Sequence, residues 1–203
     1  MTLGWILSVI FFSVASSGSP GPNNMLLTTT GANYGFVRSL PHVLGTGVGI
    51  CLILLALGMF GSQLLENESF RNVLKWGGVA YLVWLAFKIA TSRPTAASKG
   101  DEDSARPLTF IQAVLFQALN PKVWLAGASG ILTYGAVAEG WSALAMSVAF
   151  ALLFASISMP CGASWALIGV SARHALRSDR ALRTFNLAMA ILLLASLVPV
   201  VLS

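Results

Sequence analysis

The sequence predicts an all-α integral membrane protein with six transmembrane helices, arranged as two inverted three-helix halves in which the first helix is broken. Of its 203 residues, 56% are hydrophobic and 9% are charged, whereas a soluble domain carries about 25% charged residues. Proline-containing breaks interrupt two apolar segments, and a polar linker separates two sets of apolar segments. Each span needs about 20 residues, so residues 1–203 accommodate about six spans in a single membrane domain.

The first half, residues 1–90, contains spans 1 to 3. Span 1 is interrupted by the sequence SPGPNN at residues 19–24, where the prolines lack the backbone N–H that a helix needs. In a membrane, the backbone groups freed by such a break need partners within the protein or in a wet cavity. Span 2 contains Gly45 and Gly49, a GxxxG pair that permits close helix approach. The spans lie at about residues 3–32, 42–65 and 73–90.

The second half, residues 108–203, follows a segment of different character. Residues 91–107 are polar, small and mixed in charge, which predicts a flexible linker. The first span of this half is broken at Asn120-Pro121-Lys122, the position that corresponds to the first break. Pro160 predicts a kink in the long fifth span. Spans 4 to 6 lie at about residues 108–134, 141–170 and 186–202.

Basic residues are distributed unequally between the two faces that six alternating spans create. One face has Arg71 and Lys75; the other has Arg38, Lys88, Arg93, Lys99, Arg106, Arg173, Arg177, Arg180 and Arg183. Cytoplasmic loops carry the excess of Lys and Arg, so we expect a cytoplasmic linker and two periplasmic termini. Three spans per half give the halves opposite orientations, as in an inverted repeat. Basic residues between spans indicate topology rather than nucleic-acid binding.

Paired breaks in corresponding spans are typical of a transporter's substrate site, so we expect the two breaks to be neighbours that line one polar cavity. The candidate substrate-binding residues are Pro20, Gly21, Pro22, Asn23, Asn24, Asn120, Pro121 and Lys122. Lys122 is the only charge well inside an apolar segment, and a buried ammonium is costly unless it is paired. Two interpretations stay open: an anchor for an anionic substrate group, or a cap for the carbonyl groups freed by Pro121. The asparagines have the same alternatives, because an amide can bind a substrate or cap a broken helix.

His42 and His174 are candidate proton carriers, since the ordinary pKa of histidine lies near neutrality. His174 lies in an arginine-rich loop and is expected to be solvated, whereas His42 is either the proton-coupling candidate or an ordinary interfacial histidine. No Asp or Glu lies inside a span, so a relay built on a membrane-embedded carboxylate is not available. The sequence contains no catalytic constellation, phosphate-binding glycine loop or metal-ligand spacing, so we expect neither an enzyme nor a cofactor or metal site.

At these residues the chain resembles the LysE/RhtB family of bacterial amino-acid exporters, over nearly its whole length. The residues that carry the resemblance are PGPN at 20–23 with Gly35, Arg38 and Gly45 downstream, YLVWLA at 81–86, FQALNPK at 116–122, Trp165, Gly169, Arg183, Phe185 and Asn186. The resemblance implies a six-span exporter of amino acids or their derivatives in the bacterial inner membrane, driven by the proton gradient. Its partners would be a small amino-acid substrate, the lipid bilayer and protons, and a homodimer is left open.

The residues inside the spans also bear on the substrate. A lysine or arginine exporter is expected to present an intramembrane acid, and this chain has none, so we expect neutral or small polar amino acids as substrates. Two alternative functions remain: a non-transport membrane protein for assembly or lipid handling, and an ion channel of the same architecture. The paired breaks and Lys122 favour a permeation path, because a structural bundle needs neither.

Overall fold

The computed structural model describes residues 2–91, 107–135, 140–175, 178–198 and 201. These residues form eight α-helices: α1 (Leu3–Gly18), α2 (Pro22–Tyr34), α3 (Phe36–Glu66), α4 (Glu68–Thr91), α5 (Phe110–Ala118), α6 (Pro121–Tyr134), α7 (Ala143–Ala175) and α8 (Asp179–Ala195). Most of the predicted linker lies outside the described residues, as do Arg93, Lys99, Arg106, Arg177 and the side chain of His174.

Three of the described helices are long and apolar enough to cross a membrane: Phe36–Gly61, Glu68–Thr91 and Ala143–Arg173. The pair α1 and α2 passes the same test together and is bent by 62° at its break, which makes up to four candidate spans. The all-helical membrane architecture is therefore confirmed. The count of six spans and the inversion of the two halves stay predictions, since α5, α6 and α8 are each shorter than a full span.

Both predicted breaks are present, and each has a proline at the start of the helix that follows. α1 ends at Gly18 and α2 begins at Pro22; α5 ends at Ala118 and α6 begins at Pro121. Proline is favoured at the first helical position because its missing N–H would be unpaired there in any case. Pro160 behaves differently, because α7 continues through it from Ala143 to Ala175.

The two halves of the chain exchange their broken helices. α1 and α2, from the first half, pack along α7, while α5 and α6, from the second half, pack along α3. α3 also contacts α7, and α4 contacts α8. Both buried apolar clusters draw on both halves: one includes Leu26, Leu82 and Phe116, and the other includes Val9 and Phe150. Neither half therefore has a core of its own.

Glycines allow the exchanged helices to approach very closely. A Cβ atom at Gly169 of α7 would overlap the carbonyl oxygen of Thr28 in α2, and one at Gly31 would overlap the carbonyl oxygen of Ala166. The GxxxG pair of α3 faces α5 in the same way, where a Cβ at Gly49 would lie 2.8 Å from the nearest backbone oxygen. The predicted role of that pair in close packing is confirmed.

Two different kinds of contact join helices of the two halves. The rings of Phe12, Tyr134, Phe150 and Phe154 join α1, α6 and α7, with centroid distances from 5.5 to 6.3 Å. Elsewhere, buried Asn33 of α2 and Asn186 of α8 exchange two amide hydrogen bonds of 3.0 and 3.2 Å. Arg173 of α7 donates to the carbonyl oxygen of Asn33 at 3.0 Å.

Candidate functional site

The C-terminus of α1 is capped by side chains from elsewhere in the protein. The last carbonyl groups of a helix have no partner within the helix. Asn24 Nδ2 donates to the carbonyl oxygens of Ser17 at 2.7 Å and Ser19 at 2.9 Å. The indole N–H of Trp165, from α7, donates to the carbonyl oxygen of Gly18 at 3.1 Å. The carbonyl groups on the α1 side of the first break are therefore satisfied within the protein, as a membrane environment requires.

The second break is satisfied in a similar way. The indole N–H of Trp124 donates to the carbonyl oxygen of Ala118, at the end of α5, over 2.8 Å. The side chain of Asn120 accepts a hydrogen bond from the backbone N–H of Lys122 at 3.2 Å and so caps the N-terminus of α6. At each break, one tryptophan thus donates a hydrogen bond to a carbonyl oxygen at the end of the preceding helix.

Lys122 bridges the two breaks. Its ammonium donates to the carbonyl oxygen of Ser19 at 2.8 Å, to the hydroxyl oxygen of Ser19 at 2.9 Å and, at 3.4 Å, to the carbonyl oxygen of Pro20. An ammonium has three donors, so all of them have acceptors. The prediction that the two breaks are neighbours is confirmed. The carbonyl groups that Lys122 caps belong to the first break, however, and not to the second break at Pro121 as the capping alternative had it.

A chain of amide side chains runs from the second break to the first. Asn120 Nδ2 donates to Gln117 Oε1 at 3.3 Å, and Gln117 Nε2 donates to Asn23 Oδ1 at 2.9 Å. Asn23 Oδ1 also accepts from the hydroxyl group of Thr46 at 3.0 Å. Gln117 and Asn120 are buried, with 0% and 1% of their surface exposed. Such a buried network holds its members in one arrangement when all are satisfied.

His42, on α3, joins this network from one side. Its Nε2 lies 3.3 Å from Asn23 Oδ1, and the residue has no exposed surface. The other ring nitrogen, Nδ1, is buried and has no hydrogen-bond partner among the residues that the structure describes. The predicted proton-coupling candidate therefore contacts a predicted substrate-binding residue directly.

The N-termini of the two helices that follow the breaks differ. α6 is capped by Asn120, whereas α2 begins after Gly21 without a cap from the side chain of any described residue. The first N–H groups of a helix point outward and carry the positive end of the helix dipole. This combination makes the start of α2 suitable for an anionic group. A Cβ at Gly21 would lie 3.1 Å from the ammonium nitrogen of Lys122, so the cation adjoins the same spot.

An open cavity lies between the breaks, and the non-atom space in it, with the part open to the outside included, is about 420 Å³. Lys122 is the one charged side chain among the described residues that line it, and the rest are neutral. The lining consists of Ser16, Ser17, Gly21, Asn23, Asn24, Thr46, Ile50, Gln117, Asn120, Lys122, Val123, Ala126, Phe154 and Ser158. The lining includes amides and hydroxyls as well as apolar side chains.

Most of the predicted site residues meet at this cavity. Those on the lining are Gly21, Asn23, Asn24, Asn120 and Lys122; those off it are Pro20, Pro22 and Pro121. Thr46 and Gln117 also line the cavity, but neither is among the site residues predicted from the sequence. The sequence does contain a signal for Gln117. It precedes Asn120 by three residues, and residues at this spacing lie on the same face of a helix. Thr46 follows His42 by one helical turn.

The family model described as "LysE type translocator" matches residues 12–199 of the chain. Proteins named cysteine/O-acetylserine efflux protein, from Escherichia coli, Shigella flexneri and Shigella sonnei, are each 32% identical to it, over 90% of this chain and 90% of theirs. No solved structure matches the chain. The match confirms the resemblance seen in the break motifs. Because the family model covers nearly all of the sequence, the chain belongs to the LysE type translocator family.

Proposed function

We propose that the protein is a bacterial inner-membrane exporter of small neutral amino acids or their derivatives, driven by the proton gradient. The observation that carries this proposal is the uncapped N-terminus of α2, which adjoins the Lys122 ammonium in a cavity whose other described lining residues are uncharged. The relatives are named for the efflux of cysteine and O-acetylserine. Both compounds are small amino acids with one carboxylate and an uncharged side chain, which fit such a cavity.

The cavity offers a place for each part of a zwitterion. The carboxylate would accept hydrogen bonds from the free N–H groups at the start of α2 and would be attracted by the positive charge of Lys122. The ammonium would take neutral oxygens such as the hydroxyl group of Ser17, which is buried and has no partner among the described residues. A small side chain would contact apolar lining residues such as Val123, Ala126 and Phe154. A second positive charge would find no acid on the described lining.

The exchange of broken helices supports the proposed inverted repeat. If α1 to α4 correspond to α5 to α8, the contacts of α1 and α2 with α7 correspond to those of α5 and α6 with α3. The contacts of α3 with α7 and of α4 with α8 then cross the symmetry axis. In this arrangement α5 and α6 together form the fourth span and α8 the sixth.

The distribution of basic residues predicts that both termini are periplasmic and that the linker is cytoplasmic. Reporter fusions at Ser98 and at Ser203 are therefore expected to lie on opposite sides of the membrane. A reporter that is active only in the periplasm, paired with one that is active only in the cytoplasm, measures this at each position. Finding both positions on one side would contradict the six-span arrangement.

His42 is the group that we propose for proton coupling. A second proton on its ring would create an N–H at Nδ1, where the described residues offer no acceptor. An unpartnered buried donor is costly, so the protonated protein would favour a conformation in which Nδ1 finds a partner. A link between protonation and conformation is what coupled transport needs.

The test is efflux from proteoliposomes loaded with labelled L-cysteine, O-acetyl-L-serine or L-lysine. We expect saturable efflux of the first two, accelerated by an inward proton gradient, and little efflux of L-lysine. The His42→Gln variant should still transport but lose the acceleration, because its amide keeps a donor and does not titrate. Efflux of none of the compounds by well-folded protein would reject the exporter, and efflux that does not saturate would favour the channel.

A further inference from the structure

We propose that Asn23 presents its amide NH2 group to the substrate carboxylate, and that Gln117 is the positioning residue that imposes this orientation. The proposal rests on the proposed function, because it concerns the same cavity. Asn23 donates to the substrate, whereas Gln117 acts only through Asn23. An amide could equally present its oxygen to the substrate ammonium, so the orientation decides which end of the amino acid Asn23 recognises.

The orientation follows from a donor whose identity is fixed. The oxygen and nitrogen of an amide side chain are told apart by their hydrogen-bond partners. A backbone N–H can only donate, so the atom of Asn120 that contacts the N–H of Lys122 is its oxygen. The NH2 group of Asn120 then faces Gln117, which must offer its own oxygen at 3.3 Å. The NH2 group of Gln117 is left to donate, and it lies 2.9 Å from Asn23.

The orientation of the Asn23 amide is fixed in the same way. Its atom that receives the NH2 group of Gln117 must be Oδ1, and Thr46 and His42 therefore donate to that oxygen as well. This assignment places the ring hydrogen of neutral His42 on Nε2, which leaves Nδ1 as the unpartnered acceptor. Three donors around one oxygen leave no room for a fourth from a substrate ammonium.

The NH2 group of Asn23 remains available. Its Nδ2 has no hydrogen bond to any residue that the structure describes, and it is not among the buried polar atoms without a partner. Asn23 lines the cavity and is partly exposed, so the accessible NH2 group faces the cavity space. Asn23 lies in the first turn of α2, beside its uncapped N-terminus. The Lys122 ammonium is also close, because it adjoins Gly21. All three features attract the same kind of ligand atom, a carboxylate oxygen.

The variant Asn23→Asp tests the orientation with almost no change of shape. The carboxylate keeps an oxygen for the three donors but replaces the NH2 group with a second, negatively charged oxygen. We expect the KM for L-cysteine to rise about tenfold or more, because a donor to a charged group is lost. L-cysteinamide, which has no carboxylate, should show a much smaller change. Membrane abundance and elution profile are measured for every variant.

The variant Gln117→Glu tests the positioning role. Glutamate keeps an oxygen for Asn120 but cannot donate to Asn23, whose amide then loses the donor that fixes it. We expect a KM increase in the same direction, smaller than that of Asn23→Asp, and no further increase when the two changes are combined. Gln112→Glu is the matched control on the same helix: Gln112 is exposed, and glutamate can keep its capping box with Thr109. It should behave as wild type.

The outcomes separate this inference from the proposed function. A wild-type protein that transports neither probe overturns the proposed function and this inference with it. A wild-type protein that transports L-cysteine while Asn23→Asp leaves the KM unchanged, or lowers it, overturns the inference alone. Equal losses for L-cysteine and L-cysteinamide would also overturn it, since the effect would then not concern the carboxylate.

Discussion

Replacing Lys122 with methionine is expected to reduce export by roughly a hundredfold or more while the protein stays folded and inserted. A buried charge that loses its partner costs about 3–5 kcal/mol, and the substrate carboxylate would be that charge. Methionine keeps an unbranched apolar stem, and the carbonyl oxygen of Ser19 keeps its hydrogen bond from Asn24. Export and membrane abundance are measured in the same cells.

Lys122→Arg separates charge from shape. It keeps the positive charge, but the planar guanidinium is a poor replacement for a compact ammonium. The lysine stem already passes Gly21 so closely that a Cβ there would lie 2.9 Å from its Cδ. We therefore expect weak export by this variant. Normal export by Lys122→Met at normal abundance would contradict the proposal, reduce Lys122 to a helix cap and leave the carboxylate to the start of α2.

Gly169→Ala is expected to lower membrane abundance severely. The added Cβ would overlap the backbone oxygen of Thr28, so α2 and α7 would have to separate along their contact. Overpacking costs typically about 1–3 kcal/mol and more when backbone has to move. Abundance in the membrane and the unfolding temperature of the purified protein in detergent both report this loss.

Gly61→Ala is the matched control for that change. Gly61 is also helical, but no described atom lies within 4 Å of the position where its Cβ would be. Alanine is favoured over glycine in a helix by about 1 kcal/mol, so this variant should be at least as stable as wild type. Equal losses in the two variants would mean that the α2–α7 contact is not the cause.

Several features of the fold and the site could be predicted because they depend on local chemistry. Composition alone indicates membrane helices, and prolines at positions 20, 22 and 121 mark the breaks whatever surrounds them. Lys122 could be predicted as a site residue because a charged side chain is rare inside an apolar segment. The contact between the breaks also follows from their equivalent places in the two halves, and the Lys122–Ser19 hydrogen bonds confirm it.

Other features depend on tertiary placement and carry little local signal. Thr46 and Gln117 are neutral and polar, like many residues on membrane helices, and their importance arises only where α3 and α5 meet Asn23. Trp124 and Trp165 would ordinarily suggest the membrane interface, yet both donate to carbonyl groups at the breaks. The orientation of Asn23 is set from residues almost 100 positions away, since Gln117 lies 94 positions further along the chain.

The exchange of broken helices has a consequence for synthesis of the protein. α2 meets its principal partner late, because Ala32 and Arg173 of α7 are 141 positions apart. At about 5–20 residues per second of translation, α2 waits roughly 7–30 s for α7 to leave the ribosome. Thr28, Thr29 and Thr30 donate their hydroxyls to carbonyl oxygens within α2 itself, at 2.8 to 2.9 Å. These three hydroxyl groups therefore have hydrogen-bond partners before α7 is made. The nascent α2 can remain in the lipid until the rest of the chain is synthesised.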